Sequence, residues 1–453
     1  MFRPRASTFA PDQEKESIMR NRLLGAFAGI VSAFAASVAA AAPIEIQFWH
    51  PTLGPIDDAL KQQIDSFNNA QTAYKVVASG RGTYDETFNA AIAGFRANKS
   101  PHLLVVIGQG TQSMLLSGAV YPVQDLLAAE GHKIDWDNYI QPVLNYYRTK
   151  DMKLLSLPFS VSTPILWYNK DGFAKAGLTR PPATWDEMGE YLTKLRAAGF
   201  ECGYTSGWQQ WVHVDNYSTI HDLPIATLHN GLDGLNAVFT YNKTDVVKNI
   251  ARLQSWVADG RYTYSGRQGS SATPAFASGR CAMMTHSSAV FSSLQASAKF
   301  AFEAAPLPYE AGTTPHNSLI GGGALWVLKG HKPEEYKGVA AFLAHLASPD
   351  QQAKWHKDTG YMPITKAAYE KVKAEGYYDK YPQQEVAITQ VQRGTPTLNT
   401  MTVRLGNANQ YVAALEEEME AVWANKKTAQ QAMDDAVRRG NEILRRFERQ
   451  RGN

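Results

Sequence analysis

Two tryptophans lie close together in a segment rich in small and amide side chains. Residues Ser206–Trp211 read SGWQQW, with Trp208 and Trp211 three positions apart. Indole faces pack well on the C–H surfaces of polyols and sugars, and the indole N–H can donate to a hydroxyl or phosphate oxygen. The pair therefore suits the wall of a small-polyol site, although two core aromatic residues would show the same spacing.

Other segments offer hydrogen-bonding groups for a small polar ligand. The glycine run Gly321–Gly323 lets a ligand approach the backbone closely and exposes N–H donors to an anion. Ser162 and Ser287 are hydroxyls at predicted strand ends, and Tyr361 lies in the constrained turn TGYMP. Each signal is weak alone, because bends and strand ends contain such residues without any ligand.

Motifs for enzyme chemistry are missing from the sequence. It contains no G-x-S-x-G, H-E-x-x-H, Walker A or C-x-x-C pattern, and its eleven histidines form no pair with metal-ligand spacing. Gly108-Gln109-Gly110 is only a fragment of a dinucleotide fingerprint, which we interpret as a tight turn whose following helix begins at a cleft. The sequence thus predicts no catalytic site, no cofactor and no metal.

The elements that must position these residues alternate between strands and helices. Hydrophobic patterns predict strands at Ile44–Trp49, Tyr74–Ser79 and Leu103–Ile107, and helices at Pro55–Ala70 and Tyr84–Asn98. This β-α-β-α-β order predicts an α/β lobe with a mostly parallel sheet.

The pattern restarts in a second α/β lobe. Ile165–Tyr168 predicts a strand, Thr184–Glu187 is a capping box that opens a helix, and Thr428–Arg449 predicts a long final helix. Because small ligands bind at domain interfaces beyond strand ends, we expect a cleft between the lobes. The predicted domains are an N-terminal lobe (43–155 plus 305–360) and a C-terminal lobe (156–304 plus 361–453).

The N-terminal segment has the features of a secretory signal peptide. Arg20 and Arg22 precede the apolar run Leu23–Val38, and an Ala-rich cleavage site ends at Ala42. A transmembrane anchor is the alternative, but the run is short, Ala-rich and followed by no stop-transfer charges. Residues 1–42 are therefore predicted to be removed, with Met19 as a second candidate for the true initiator.

Composition and charge describe the exported protein. The chain has 453 residues, of which 44% are apolar and 19% charged, which is typical of a folded globular protein. Its formal net charge is +3, and the five basic and three acidic residues of the signal segment leave about +1 after cleavage. A protein this neutral is not predicted to bind nucleic acid. We expect a soluble periplasmic chain of about 411 residues.

The sequence contains two cysteines, Cys202 and Cys281, both at strand-like positions. In an oxidising compartment they can form a disulfide. Two buried free thiols are the alternative, and the sequence leaves both open.

Longer segments carry a resemblance to a known family. The chain resembles the glycerol-phosphate-binding members of the maltose-binding-like extracellular solute-binding family, which serve bacterial ABC importers, from about residue 44 to the final helix. The segments that carry it are FWH (48–50), STPILWYNKD (162–171), CGYTSGWQQW (202–211), IGGGALWV (320–327), TGYMPITKAAY (359–369), RLGN (404–407) and RRGNEILRRFE (438–448).

The resemblance implies a two-lobed fold with the ligand cleft between the lobes. It also implies a monomeric binding protein that captures sn-glycerol 3-phosphate or a related glycerophosphodiester and delivers it to ABC permease subunits. By position, the implied ligand-binding residues are Tyr84, Ser162, Trp208, Trp211, Ser287, Gly322 and Tyr361.

Two positions depart from the pattern of that family. Gly108 stands where the family has a carboxylate for ligand hydroxyls, and Val412 stands where it has an arginine for the phosphate. Losing a guanidinium costs a phosphate site about 1.5–3 kcal/mol, the scale of a hydrogen bond to a charged group. The nearby side chains that could compensate are Arg81, Asp85, Gln109 and Arg404.

Other functions remain open at this stage. A wider pocket could take an oligosaccharide or another polyol. A secreted phosphodiester hydrolase would need a base, a nucleophile or metals, for which no constellation is found. A structural periplasmic protein would bind no ligand.

Overall fold

Two separate β-sheets organise residues 42–451, the part of the chain that our computed structural model describes. The predicted signal peptide therefore lies outside the described residues, apart from the exposed Ala42. The strands are β1 (Ile44–His50), β2 (Tyr74–Gly80), β3 (Leu103–Ile107), β4 (Val120–Tyr121), β5 (Leu157–Ser162), β6 (Pro164–Asn169), β7 (Cys202–Ser206), β8 (Cys281–Ser287), β9 (Phe302–Ala305) and β10 (Gly321–Leu328).

Helices flank both sheets. Those of the first half of the chain are α1 (Pro55–Ala70), α2 (Tyr84–Arg96), α3 (Thr111–Leu115), α4 (Val123–Ala129), α5 (Gln141–Tyr147), α6 (Lys170–Lys175), α7 (Trp185–Ala197), α8 (Tyr217–Ile220) and α9 (Thr227–Gly231). Those of the second half are α10 (Val246–Ala258), α11 (Thr273–Ala277), α12 (Phe291–Ser297), α13 (Pro333–Leu346), α14 (Pro349–Thr359), α15 (Lys366–Ala374), α16 (Tyr377–Lys380), α17 (Val386–Val391), α18 (Ala408–Trp423) and α19 (Ala429–Arg451).

The local sequence explains where the first helices begin. Pro55 opens α1, where its missing N–H costs no hydrogen bond. At α2, the Thr83 hydroxyl accepts from the Glu86 N–H while the Glu86 carboxylate accepts from the Thr83 N–H, forming a capping box. The α2 cap places Tyr84 and Asp85 at the first turn of the helix.

The first sheet has the strand order β2-β1-β3-β10-β4, and β5 also pairs with β10. β1 is parallel to β2 and β3, whereas β10 is antiparallel to β3, β4 and β5. The second sheet has the order β7-β8-β6-β9, in which only the β7–β8 pair is parallel.

The prediction of mostly parallel sheets is therefore wrong, because both sheets are mixed. The β-α-β-α-β order correctly predicts the parallel strands β1–β3. It cannot reveal that β10, which arrives about 200 residues later, enters beside β3 in the opposite direction. Such pairing depends on long-range packing rather than on the pattern within each strand.

The chain passes between the sheets at Thr163. β5 ends at Ser162 in the first sheet, and β6 begins at Pro164 in the second. The predicted domain boundaries, including the one after residue 155, stay a prediction.

The final helices pack on each other and on α10. α19 buries Ala432, Ala436, Ile443, Leu444 and Phe447, the inward positions that its periodicity predicts. It packs on α18 and α10, and α18 in turn approaches the turn that follows β3. Within residues 42–451 no helix is both long and apolar enough to cross a membrane.

Candidate functional site

Two adjoining cavities are lined by elements of both sheets. The smaller has a volume of about 390 Å³ and the larger about 590 Å³, and Tyr84, Trp208 and Trp211 line both. Cavities of this size suit a small organic ligand. The carboxyl end of β3 contributes Ile107, as expected for a site beyond parallel strand ends.

The smaller cavity brings together a set of residues that are far apart in the sequence. Its lining includes every residue that the resemblance implied most directly: Tyr84, Ser162, Trp208, Trp211, Ser287, Gly322 and Tyr361. The first sheet's side contributes Tyr84 from α2, Ser162 from β5 and Gly322 from β10. Ser287 lies at the end of β8 in the second sheet.

Gly322 brings its backbone close to that of β5. Its φ is +89°, and a Cβ at this position would lie 1.7 Å from the carbonyl oxygen of Ser160. Only glycine fits a backbone this close in that conformation. Because Gly322 has no side chain, backbone groups form the cavity wall at this position.

The polar groups of the smaller cavity are neutral donors. The Tyr84 hydroxyl and the Trp211 Nε1–H are buried without a hydrogen-bond partner. Burial and the adjacent Tyr361 phenol raise the pKa of Tyr84, and burial raises the pKa of Tyr361 to about 12. Both phenols therefore keep their protons at neutral pH and can donate to a ligand oxygen.

Both tryptophans are held against glycines. Trp208 has a left-handed backbone (φ +50°), and a Cβ on Gly269 would lie 2.1 Å from its indole ring. Trp211 opens the π-helix Trp211–Asn216 and packs on Gly321 in the same manner. The tryptophans are therefore fixed in place and line the cavities, instead of lying only in the core.

The larger cavity adds charged and amide groups. Asp85, Gln109 and Val412 line it, as do Arg267 and Glu416. The pKa of Glu416 is raised to about 7, chiefly by burial; Arg267 opposes the shift, and the charges of Glu420 and Asp85 add to it. Burial also raises the pKa of Asp85.

Three residues considered in the sequence analysis do not line either cavity. A Cβ on Gly108 would lie 2.8 Å from the Tyr146 ring, so this position faces Tyr146. Arg404 is buried, with its Nη2 donating to the Arg148 carbonyl oxygen at 2.9 Å, and burial lowers its pKa to about 10. The Arg81 guanidinium lies over the Trp49 ring, 4.2 Å from its centroid.

Comparison with known proteins identifies the family. The sequence model of the family described as "Bacterial extracellular solute-binding protein" matches residues 62–385. The chain is 43% identical over 426 residues to a Salmonella paratyphi A protein named "sn-glycerol-3-phosphate-binding periplasmic protein UgpB", covering 93% of this chain and 97% of that protein. The Escherichia coli O1:K1 protein of the same name is 42% identical over 409 residues, covering 89% and 93%.

The chain belongs to the bacterial extracellular solute-binding proteins.

Solved structures agree on the fold of this solute-binding protein. The Mycobacterium tuberculosis UgpB structure in complex with glycerophosphocholine matches with a TM-score of 0.76 at 21% identity, covering 89% of this chain and 99% of that one. The Streptomyces glaucescens GacH receptor, solved unliganded and with acarbose, matches with a TM-score of 0.74 at 16% identity, covering 89% and 98%. The two-lobed α/β fold is confirmed. The predicted periplasmic location is confirmed by the relatives at 42–43% identity.

Sequence reasoning missed Arg267 and Glu416 in this solute-binding protein. Arg267 lies on the segment before α11, far from any of the resembling strings. Glu416 follows Val412 by one helical turn, so that both reach the same cavity from α18. The i, i+4 spacing of Glu416 from Val412, a suspected site residue, was the sequence signal that could have predicted Glu416 in the site.

The structure also decides whether the two cysteines form a disulfide or stay as free thiols. Cys202 and Cys281 lie opposite each other on the paired strands β7 and β8, and they form a disulfide. The alternative of two free thiols is therefore wrong. The bond joins the first residues of β7 and β8, whose far ends carry Ser206 and Ser287.

One histidine cluster has ligand atoms close enough to hold a metal ion. His102, His331 and Glu335 have these atoms within 4.8 Å of one another. However, the His102 Nδ1 accepts a 2.9 Å hydrogen bond from the Gln47 N–H, so the proton of the neutral ring lies on Nε2. A protonated Nε2 offers no lone pair, and the 3.5 Å approach to Glu335 fits a polar contact better than a metal site.

Proposed function

We propose that this protein captures a glycerol phosphate compound in the periplasm and delivers it to the permease of an ABC importer. The compound is sn-glycerol 3-phosphate or, preferably, one of its diesters. The observation that carries the proposal is the gathering of seven residues, implied by resemblance, around one cavity of about 390 Å³. They supply hydroxyls, a backbone N–H and indole rings, the groups that a glycerol phosphate needs.

The phosphate would be bound by neutral donors. Ser162, Ser287 and the Gly322 N–H are the proposed partners of its oxygens, with the unpaired Trp211 Nε1–H as a further donor. Such charge-assisted hydrogen bonds are stronger than those between neutral groups. These neutral donors would take the place of a guanidinium, because the position that is arginine in the resembling family is Val412 in this chain.

Neutral donors favour a diester over a monoester. A phosphate monoester loses its second proton near pH 6 and approaches two negative charges at neutral pH. A phosphodiester carries one charge and so requires less compensation by the protein. The adjoining 590 Å³ cavity supplies room for a second substituent on the phosphate.

The carbon chain would lie against apolar surface. Trp208, Trp211 and Ile107 line both cavities, and Leu53 adds to the same wall. Contact with indole faces is the ordinary way that proteins bind the C–H surface of polyols. Binding would favour a closed arrangement of the lobes, which the permease would recognise.

The names of the relatives support the proposal. The Salmonella and Escherichia relatives are named for sn-glycerol 3-phosphate, and the Mycobacterium structure contains glycerophosphocholine. In this chain the missing arginine is the reason to place the diester first.

Isothermal titration calorimetry tests the proposal with a panel of ligands. The panel contains sn-glycerol 3-phosphate, glycerophosphoglycerol, glycerophosphocholine and maltose. At least one glycerophosphodiester should bind more tightly than both maltose and sn-glycerol 3-phosphate. Micromolar binding of maltose with no heat from any glycerol phosphate compound would show instead that the protein is a sugar-binding protein.

A further inference from the structure

Asn216 is a buried amide that joins two segments next to the smaller cavity. It is the last residue of the π-helix Trp211–Asn216, in which every residue is buried. Its Nδ2 donates to the Trp211 carbonyl oxygen at 3.0 Å, and its Oδ1 accepts from the Leu319 N–H at 2.8 Å. Asn216 itself lines neither cavity. Its amide therefore connects two backbone segments instead of facing the site.

The first of these bonds reaches a residue of the cavity wall. Trp211 lines both cavities, and its Nε1–H is buried without a hydrogen-bond partner among the described residues. A π-helix pairs residues five positions apart and occurs mostly at functional sites. Asn216 is the fifth residue after Trp211, so its side chain adds a bond across the same turn. The position of the indole therefore depends on a turn that the Asn216 side chain closes.

The second bond reaches a segment that crosses between the two sheets. Leu319 lies two residues before β10, in the stretch that connects β9 of the second sheet to β10 of the first. Gly321 and Gly322 open β10 and line the smaller cavity. The Leu319 carbonyl oxygen lies 3.1 Å from the hydroxyl of Thr163, the residue between β5 and β6. Leu319 is thus held through both its N–H and its carbonyl oxygen.

The two bonds together fix where Trp211 meets the backbone of β10. A Cβ on Gly321 would lie 2.5 Å from the Trp211 indole, so the ring packs directly on this backbone. Without the Asn216 amide, the Leu319 N–H would lose its acceptor at a position that is only 2% exposed. An unpaired buried donor costs free energy, which favours a movement of the segment. Such a movement would displace the glycines from the indole.

We propose that Asn216 is a positioning residue for ligand binding, which holds the Trp211 indole in place against Gly321 and Gly322. The inference rests on the proposed function. It explains how the Trp211 Nε1–H and the Gly322 N–H, two of the proposed donors to a phosphate oxygen, keep one relative geometry. Hydrogen bonds weaken steeply as their geometry departs from the ideal, so Asn216 controls affinity without touching the ligand.

Asn249 offers a matched control. It is fully buried, and its Nδ2 donates to the His213 carbonyl oxygen of the same π-helix at 3.2 Å. Its Oδ1 accepts from Arg252 on α10, away from the crossing segment. Asn216→Ala and Asn249→Ala each remove a buried hydrogen bond to the π-helix, and both should lower the midpoint of urea denaturation. Only Asn216→Ala should also change binding.

Calorimetry on the two folded variants separates positioning from stability. The probes are sn-glycerol 3-phosphate and glycerophosphoglycerol. Asn216→Ala should bind the probes about tenfold more weakly than the wild type, the scale of one hydrogen bond to a charged group. Asn249→Ala should keep the wild-type affinity. An unchanged affinity in Asn216→Ala, or an equal loss in both variants, would overturn the inference, because the amide would then serve only the stability of the fold.

A measurement without ligand distinguishes this inference from the proposed function. The Trp211 Nε1–H gives its own nuclear magnetic resonance signal in isotope-labelled protein, and Trp211→Phe identifies it. Asn216→Ala should shift this signal in the ligand-free protein, whereas Asn249→Ala should leave it in place. A signal that Asn216→Ala does not move would contradict the assigned role. If neither probe binds the wild type, the proposed function fails, and the signal alone tests whether Asn216 positions Trp211.

Discussion

At the scale of single residues, the Gly322 backbone determines the shape of the smaller cavity. Substituting alanine would force a Cβ against the Ser160 carbonyl oxygen and strain a φ of +89°. We expect Gly322→Ala to lower the free energy of unfolding by about 1–3 kcal/mol or more. Urea denaturation measures the loss.

Gly312 provides the control for this substitution. Its φ is +81°, but no atom lies within 4 Å of where its Cβ would stand. Gly312→Ala should therefore cost only the backbone strain, about 1 kcal/mol. Equal losses for the two variants would mean that the contact with Ser160 is unimportant.

Ser162 provides a second prediction at the residue scale. This residue is 3% exposed and lines the smaller cavity, where its hydroxyl is a proposed partner of a ligand oxygen. Ser162→Ala should weaken binding of the best diester by about tenfold, the scale of one hydrogen bond to a charged group. Calorimetry measures this change. Ser255→Ala, on the exposed side of α10, should leave the affinity unchanged.

At the scale of elements, α18 sets the charge of the larger cavity. Restoring the arginine of the resembling family with Val412→Arg should raise the affinity for sn-glycerol 3-phosphate by about tenfold or more, since a guanidinium binds phosphate strongly. Gln410→Arg adds the same charge to the same helix at an exposed position outside both cavities. If both variants gained equally, net charge rather than position would explain the effect.

The strand pair β7–β8 is covalently closed by its disulfide. Cys202 and Cys281 are 79 residues apart in sequence, so the bond restricts a long loop of the unfolded chain. Cys202→Ala with Cys281→Ala should lower the free energy of unfolding by about 2–4 kcal/mol. Urea denaturation with and without reductant gives the measurement. Reductant should lower the free energy of unfolding of the wild type. It should leave that of the double variant unchanged.

At the scale of the whole molecule, buried histidines predict a dependence of stability on pH. Burial lowers the pKa of His102, His286 and His356 to about 4 and that of His213 to about 3. The unfolded chain, with histidine pKa values near 6.5, therefore binds more protons than the folded protein in this range. Stability should be full above about pH 6.5 and fall by several kcal/mol as the pH drops to about 4.

Urea denaturation at a series of pH values tests this dependence. His213→Leu should make it shallower, since both ring nitrogens of His213 are buried without partners. His132→Leu, at a partly exposed position, should keep the full dependence. A stability that stays constant between pH 6.5 and pH 4 would contradict the prediction.

Local sequence signals predicted the elements around the site. The helix Pro55–Ala70 and the strand Leu103–Ile107 match the observed bounds, because a proline start and a continuous apolar run are signals within each segment. Helix α2 ends two residues earlier than predicted, ahead of the left-handed Asn98. The resemblance supplied the residues of the smaller cavity, which composition and periodicity alone could not assemble.

The sequence by itself determined the solute-binding family, the α/β elements and the change from a charged residue to Val412. Only the tertiary structure decided that β10 runs antiparallel to β3, that the two cysteines are bonded, and that Glu416 and Asp85 line the same cavity as Arg267. Patterns along the chain report how each segment is buried and where it begins and ends. Which distant segments come into contact depends on packing between surfaces hundreds of residues apart. The net charge of a cavity depends on which charged residues those contacts bring together.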